Sequence, residues 1–171
     1  MVNHQKIIFS GPVRAGKTTA IHAISEIKPI TTDQKSSDHT ALLKAETTVA
    51  MDYGMCFTED GNKIHLYGTP GQERFSFMWD VLAKNGDGLI LLFDNTRPDP
   101  KADLDLYINA FADFIAEKKL IIGVTHTEEQ KDPSLAQYSA WLAEHLLEAE
   151  VYAVDARERN DVRHLLTQLM H

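Results

Sequence analysis

Residues 6–19 read KIIFSGPVRAGKTT, and this stretch decides the fold. Lys6–Ser10 is an apolar run of strand length, and a helical pattern begins at Lys17. Between them, Gly11 to Thr18 match the pattern G-x-x-x-x-G-K-[ST], a glycine-rich turn that connects a strand to a helix. The main-chain N–H groups of such a turn line a concavity, and the helix N-terminus adds the positive end of its dipole. The stretch therefore predicts a binding site for phosphate groups.

Each polar side chain of this predicted site has an expected role. Lys17 reaches the β- and γ-phosphates of a bound nucleotide, and the Thr18 hydroxyl is a ligand of Mg²⁺, the expected cofactor. The residues that we expect to contact the nucleotide here are Gly11, Val13, Arg14, Ala15, Gly16, Lys17, Thr18 and Thr19.

The rest of the chain alternates between strand-like and helical patterns. Gly88–Asp94 and Leu120–Thr125 are nearly continuous apolar runs, which is typical of parallel strands covered by helices on both faces. Val49–Phe57 instead alternates, with Asp52 on the face opposite its large apolar residues, and predicts an edge or half-exposed strand. A turn at residues 59–62 joins this strand to the next one, at Lys63–Tyr67.

Aspartate–proline pairs predict two helix starts, Asp99-Pro100 and Asp132-Pro133, with the aspartate as N-cap and the proline at the first helical position. Apolar spacing predicts helices across residues 104–115 and 135–146, and a last helix with its apolar stripe at 162–169. The polar segment 28–47 lacks clear periodicity. Together the patterns predict a three-layer α/β/α fold with a six-stranded, mostly parallel sheet and about five helices.

Composition narrows the class of protein. The 171 residues form one expected domain, 1–171, with 17 basic and 25 acidic residues, a formal net charge of −8. An acidic chain of this kind is a poor candidate for binding nucleic acid. The lone Cys56 excludes an intramolecular disulfide, and neither a long apolar run nor a lipidation motif predicts a membrane anchor. We therefore expect a cytoplasmic protein.

Two further segments resemble the switch regions of the Ras-like small GTPases. Thr48–Tyr53 (TVAMDY) is similar to the end of switch I, and Gly68–Phe75 (GTPGQERF) is similar to switch II, which usually reads D-[TV]-[AP]-G-Q-E-R-F. Within that superfamily the chain looks most like bacterial members that carry L-[FY]-G-T-P-G-Q-E-R-F. The resemblance implies a P-loop NTPase G domain that binds GTP and GDP with Mg²⁺ and slowly hydrolyses GTP.

The resemblance also implies roles for switch residues. Thr48 joins Thr18 as a Mg²⁺ ligand, with Thr47 as the alternative, and the Gly71 N–H contacts the γ-phosphate. Gln72 is the expected catalytic residue and orients the attacking water. A regulatory protein partner, for which a roadblock-type activator is one candidate, and an effector of unknown identity are implied as well.

Three departures from the family pattern affect the expected Mg²⁺ binding, hydrolysis and base recognition. Gly68 replaces the aspartate that normally holds a magnesium-bound water, so we expect weaker Mg²⁺ binding, with Asp94 either a substitute or a structural residue. Val13 and Arg14 occupy positions where many relatives have glycine. Arg14 is either a built-in arginine finger or a solvent-exposed side chain.

The third departure concerns the base-recognition motif, usually [NT]-K-x-D, which is identifiable here only by position. Thr125, His126 and Glu128 stand where it is expected, and Glu128 can accept hydrogen bonds from guanine. Ala156 and Arg157 fall in Asp155-Ala156-Arg157, where the family has S-A-K. An ordinary polar loop, relaxed selectivity between ATP and GTP, a nucleotide-binding scaffold with little or no hydrolysis, and a small phosphotransferase remain alternatives.

Overall fold

The computed structural model describes residues 3–31, 51–73 and 76–171. The strands are β1 (His4–Ser10), β2 (Ile30–Thr31), β3 (Asp52–Phe57), β4 (Lys63–Gly68), β5 (Gly88–Asp94), β6 (Lys119–Thr125) and β7 (Glu150–Ala153). The helices are α1 (Lys17–Ile24), α2 (Phe77–Ala83), α3 (Pro100–Ala110), α4 (Ala112–Glu117), α5 (Leu135–Glu144) and α6 (Arg159–Met170).

The strands form one sheet in the order β2-β3-β4-β1-β5-β6-β7. β3 runs antiparallel to both of its neighbours, and the other pairs are parallel. The predicted α/β fold with a mostly parallel sheet is confirmed, but the described chain has seven strands rather than six. The extra strand, Ile30–Thr31, lies in the polar segment that gave no periodic signal, and its pairing with β3 defines it.

Helices cover both faces of the sheet and create two hydrophobic cores. One core lies under α1 and α6 and includes Ile7, Phe9, Ile21, Ile24, Cys56, Leu66, Val162 and Leu165. The other lies under α2, α3 and α5 and includes Ile8, Trp79, Leu89, Phe93, Tyr107, Tyr138 and Leu142. Every residue of β5 is buried, as the continuous apolar run predicts.

The more buried face of β3 is the one that carries Asp52, contrary to the sequence interpretation. Asp52, Gly54 and Cys56 are buried, and the large residues between them are only partly buried. The reason is the close approach of α1: a Cβ atom on Gly54 would lie 2.8 Å from Ile21 Cγ2. The predicted positions Val49 and Ala50 lie outside the described residues.

The helix starts agree with the sequence in one case and differ in the other. Asp99 caps α3 and accepts a hydrogen bond from the Ala102 N–H at 3.0 Å, as predicted. Asp132, however, is not an N-cap. The helix begins after Ser134, whose hydroxyl accepts from the Gln137 N–H while the Gln137 side chain accepts from the Ser134 N–H. This reciprocal capping box satisfies two otherwise unpaired donors, so it sets the start of α5.

The helix predicted across residues 104–115 is interrupted once. Phe111 has φ −103° and ψ 17°, and it separates α3 from the short α4. Its ring is buried against Trp79, with the two ring centroids 5.9 Å apart. The predicted stripe of the last helix is confirmed, because its four apolar positions are buried in α6. Among the described residues, the helices are too short or too polar to cross a bilayer.

The thiol of Cys56 should be unreactive in the folded protein. It is fully buried in β3, and this burial raises its pKa to about 11, so the thiol is protonated below that pH. Because the thiolate is the reactive form, we expect a chromogenic disulfide reagent at pH about 8 to label the native protein roughly 100-fold more slowly than the denatured protein. Rapid labelling of the native protein would contradict this burial.

Candidate functional site

The candidate site lies at one edge of the sheet. The parallel strands β1, β4, β5 and β6 end there, and the antiparallel β3 begins there. Ligands of open α/β sheets bind at this edge because loops from several strands converge on it. The topology therefore brings the glycine-rich turn, the Gly68–Gly71 loop, Asp52 and Thr125 to the same edge.

The glycine-rich turn adopts a conformation that requires its glycines. Gly11 has φ 147°, and a Cβ atom there would lie 2.0 Å from the Leu92 carbonyl oxygen. Gly16 has φ 104° and is the N-cap of α1. Arg14 also has a positive φ, 69°, and its side chain is exposed, as is that of Val13. The turn therefore packs its main chain against the sheet and leaves these two side chains at the surface.

Lys17 places a buried cation against this turn. Its ammonium group donates hydrogen bonds to the carbonyl oxygens of Gly11 at 2.6 Å and Pro12 at 2.8 Å. The pKa of Lys17 is lowered to about 8, chiefly by burial; the negative charge of Asp52 opposes this shift, and the positive charge of Arg97 contributes to it. An anion that approached the turn would meet this partly desolvated positive charge.

Asp52 is a buried carboxylate that the sequence analysis did not place in the site. Its Oδ2 accepts a hydrogen bond from the Thr18 hydroxyl at 2.5 Å. Its Oδ1 is buried and has no hydrogen-bond partner among the residues that the structure describes. Asp52 pairs with Gly68 in the β3–β4 register. The sequence held a signal for this pairing, because both residues lie equally far along the chain from Asp60 in the connecting turn.

The loop after β4 is held against the glycine-rich turn. The Thr69 N–H donates to the Phe9 carbonyl oxygen at 2.9 Å, and the Thr69 and Ser10 hydroxyls are 2.6 Å apart. A Cβ atom on Gly71 would lie 2.8 Å from the Val13 nitrogen and 2.9 Å from Lys17 Nζ. Gly71 thus lies next to the turn, and the following Gln72 is exposed.

Trp79 anchors the same loop from the opposite side. Its indole N–H donates to the Pro70 carbonyl oxygen at 2.8 Å, and its ring stacks on Tyr107 with a centroid distance of 4.5 Å. Trp79 is 1% exposed, so it belongs to the core rather than to an exposed partner-binding patch. The exposed apolar residues of α2 are Phe77 and Val81 instead.

The segment predicted to recognise the base begins at a buried threonine. The Thr125 hydroxyl donates to the Ala15 carbonyl oxygen at 2.9 Å, which ties the end of β6 to the glycine-rich turn. Beyond it, His126 has φ 61°, and its Nδ1 lies 3.2 Å from Glu129 Oε1. The side chain of Glu128 is exposed.

The loop after β7 also reaches the turn. Ala156 is 8% exposed, and a Cβ atom on Gly16 would lie 2.9 Å from the Ala156 Cβ. The guanidinium of Arg157 bonds the Asp155 carboxylate at 2.8 and 2.9 Å and lowers the pKa of that carboxyl to about 2. The structure therefore brings Thr125 and Ala156 to the glycine-rich turn, whereas Arg157 is engaged with its neighbour.

Two buried groups that sequence reasoning missed hold the loop that follows β6. The Asn95 side-chain amide donates to the carbonyl oxygens of Gln130 at 2.7 Å and Pro133 at 3.0 Å. The hydroxyl of Tyr138 donates to the Asn95 Oδ1 at 2.8 Å. Neither residue belongs to a motif, so their role follows from tertiary contacts alone.

Asp94 has the structural role that was one of its two interpretations. Its Oδ1 accepts hydrogen bonds from the Thr96 N–H at 2.8 Å and the Thr96 hydroxyl at 2.6 Å. Its carboxylate thereby caps the turn that follows β5. The predicted switch I residues Thr47 and Thr48 lie outside the described residues, as do Arg74 and Phe75.

Comparisons with known proteins support this fold. Two solved structures cover 99% of this chain: a bacterial selenocysteine-specific elongation factor EF-Sec (TM-score 0.69, 19% identity, 29% of that chain) and the cytosolic domain of the T. maritima FeoB iron transporter in a GDP form (TM-score 0.68, 22% identity, 63% of that chain). The fold is that of a P-loop G domain.

Among curated proteins, Intraflagellar transport protein 22 of Chlamydomonas reinhardtii is 32% identical over 108 residues, 63% of this chain. The chain spans about half the length of that relative, 53%. No protein-family model matches the chain.

Replacing Trp79 with phenylalanine should destabilise the protein. The change leaves the Pro70 carbonyl oxygen without its donor and opens a small cavity, so we expect the free energy of unfolding to fall by about 2–4 kcal/mol in urea titrations. Trp141 is the matched control, because it is the other tryptophan of the chain and is only partly buried. Trp141→Phe should cost about 1 kcal/mol or less. Equal losses would contradict the anchoring role of Trp79.

Proposed function

We propose that this protein is a GTP-binding molecular switch that binds GTP and GDP with Mg²⁺ and slowly hydrolyses GTP to GDP. The observation that carries the proposal is the position of Gly71, whose missing side chain leaves room for contact with Val13 and Lys17. A loop held this close to a phosphate-binding turn can sense whether a γ-phosphate is present. Binding of the γ-phosphate would hold the loop, and hydrolysis would release it.

The phosphate-binding role rests on the turn and on Lys17. A nucleotide would be held by the main-chain N–H groups of the turn, by the N-terminus of α1 with Thr18 and Thr19, and by the Lys17 ammonium. Because the ammonium now bonds two main-chain carbonyls, it would exchange these partners for phosphate oxygens. That exchange favours binding, since an ammonium group is attracted more strongly by a negatively charged phosphate oxygen than by a neutral carbonyl oxygen.

The residues present fit a Mg²⁺ ion. The Thr18 hydroxyl and the unpartnered Oδ1 of Asp52 are hard oxygen ligands at the edge where the phosphates would lie. Thr18 and, from switch I, Thr48 would hold the ion, which would supply positive charge to the β- and γ-phosphate oxygens.

For hydrolysis, Gln72 would orient the attacking water. Its exposed position beside Gly71 leaves it free to turn toward the γ-phosphate. Arg14 is exposed at the rim of the same turn, and measuring hydrolysis by Arg14→Ala tests whether it acts as an arginine finger. Arg97, whose positive charge acts on Lys17, is bonded to the Asp103 carboxylate and is therefore already paired. We propose that intrinsic turnover is slow and that a protein partner accelerates it.

Partner recognition would use the surface next to the switch loop. Phe77 and Val81 are each 59% exposed on α2, directly after that loop, and exposed apolar groups of this kind mark contact surfaces. We propose that a regulatory partner, with a roadblock-type activator as candidate, and an effector bind there. We also propose that residues 1–171 act as a single G domain in the cytoplasm.

Guanine selectivity should depend on Glu128. Its carboxylate would accept hydrogen bonds from guanine N1–H and N2–H, whereas adenine presents an acceptor at N1, and Thr125, His126, Ala156 and Arg157 would line the base site. We expect competition binding with GTP, GDP, ATP and ADP to favour guanine by about tenfold or more, and Glu128→Ala to reduce that preference by roughly tenfold. The exposed neighbour Glu129 is the control, and Glu129→Ala should keep the preference. Equal affinity of the unmodified protein for ATP and GTP would contradict guanine recognition.

Hydrolysis should depend on Gln72. We expect Gln72→Ala to reduce single-turnover release of phosphate from GTP by roughly tenfold or more, because the water loses its orienting group. The exposed neighbour Glu73 provides the control, and Glu73→Ala should leave the rate unchanged. Absence of turnover in the unmodified protein would favour a nucleotide-binding scaffold. In the same assay, an unchanged rate for Arg14→Ala would exclude the arginine-finger interpretation.

A further inference from the structure

We propose that Asp52, at the start of β3, is the acidic residue of the Mg²⁺ site. It would take the place of the aspartate that Ras-like GTPases have at the end of β4, where this chain has Gly68. The proposal rests on the nucleotide binding proposed above. It assigns to this chain a carboxylate that comes from the strand next to the expected one.

The first observation is the direction of the Thr18 hydrogen bond. The Asp52 carboxylate is only an acceptor when ionised, so the Thr18 hydroxyl donates its proton to it at 2.5 Å. A hydroxyl ligand binds a cation through its oxygen lone pairs. A hydroxyl whose proton is already directed into a carboxylate keeps those lone pairs available and is made more electron-rich. Asp52 therefore orients the proposed Mg²⁺ ligand.

The second observation is the unused oxygen of Asp52. The residue is 5% exposed, and its Oδ1 is buried with no partner among the described residues. A buried, incompletely bonded carboxylate is costly, and such groups are usually paired with a cation or a metal. The positive charge of Lys17 acts on Asp52, but Lys17 directs its hydrogen bonds to main-chain carbonyls instead. A divalent cation with its water ligands would satisfy the remaining oxygen.

The third observation is that side chains at positions 52 and 68 would compete for the same volume. They are opposite each other in the β3–β4 register. A Cβ atom on Gly68 would lie 3.2 Å from both the Cβ and the Oδ2 of Asp52 and 3.0 Å from the Cδ1 of Ile21. A side chain at 68 would crowd the volume that Asp52 fills, so one of the two strands carries the carboxylate and the other carries glycine.

Asp94, the substitute that the sequence suggested, is less suitable. Its Oδ1 is already occupied by two hydrogen bonds from Thr96. Asp94 also ends β5, which lies on the other side of β1 from β4 and β3. It is therefore on the opposite side of β1 from Asp52, the residue that Thr18 contacts. The weaker Mg²⁺ binding expected from Gly68 alone therefore does not follow, because Asp52 restores the missing charge.

The test is the Mg²⁺ dependence of GDP release in Asp52→Asn. Asparagine keeps the size of the side chain and an acceptor for the Thr18 hydroxyl but removes the charge. Release of a fluorescent GDP analogue is followed as free Mg²⁺ is varied with EDTA. We expect the Mg²⁺ concentration that half-maximally slows release to rise by about tenfold to 100-fold. Affinity for GDP without Mg²⁺ should stay equal or become tighter, because a negative charge near the phosphates is lost.

Asp94→Asn is the matched control, since it makes the same change in a buried aspartate at the same edge of the sheet. It should respond to Mg²⁺ like the unmodified protein. An unchanged Mg²⁺ response in Asp52→Asn, or a loss in Asp94→Asn alone, would overturn the assignment of Asp52 while leaving nucleotide binding intact. Failure of the unmodified protein to bind GDP or GTP under any condition would overturn both proposals.

A second pair of variants covers the case in which Asp52→Asn does not fold, as judged by thermal unfolding. Asp52→Gly removes the carboxylate, and Asp52→Gly combined with Gly68→Asp moves it to β4 while freeing the space for it. We expect the single variant to lose the Mg²⁺ response and the double variant to regain part of it. A single variant with a normal Mg²⁺ response, or a folded double variant without any recovery, would overturn the proposal.

Discussion

A lysine charge buried between main-chain carbonyls is the interaction on which the site depends. Removing an ammonium group from water is costly unless oxygen atoms surround it, and Lys17 finds them at Gly11 and Pro12. The carbonyls can converge on one cation because the turn bends sharply at its glycines, one of which touches the Leu92 main chain. The same turn receives the hydroxyl of Thr125 from β6. The conformation of the turn, the position of the cation and the end of a distant strand are thus fixed together.

The order of the strands extends this arrangement to the neighbouring loops. β1 is central, with β4 on one side and β5 on the other, so the loops after β4 and β5 lie on either side of the turn that follows β1. β3 contributes through its first residue, because an antiparallel strand begins where its parallel neighbours end. One edge of the sheet therefore gathers the Lys17 cation, the Asp52 carboxylate, several hydroxyl groups and the main-chain N–H groups of the turn. Such a combination suits an anionic ligand that carries a divalent cation.

Sequence patterns predicted the parts that local rules control. The apolar runs gave β1, β5 and β6, the glycine pattern gave the turn, and Asp99 gave the start of α3. Other features depend on contacts between distant segments. β2 is defined only by its pairing with β3, and Phe111 breaks its helix while its ring packs on Trp79. Asp52 escaped notice because alternation alone suggests that a charged residue faces water, whereas the strand register and the close packing of α1 bury it.

The anchoring of the segment that follows β6 has a consequence for the thermodynamics of binding. Asn95 and Tyr138 hold this segment through main-chain carbonyls at two points, Gln130 and Pro133, rather than through the side chains that would face a purine. At the proposed base site, a ring that entered beside Glu128 would meet a loop already held by these hydrogen bonds. The entropy of that segment is then lost when the protein folds, so binding would not incur this cost a second time. If this loop recognises the base as proposed, exchanging its surface side chains would alter the selectivity between purines without rebuilding the loop that carries them.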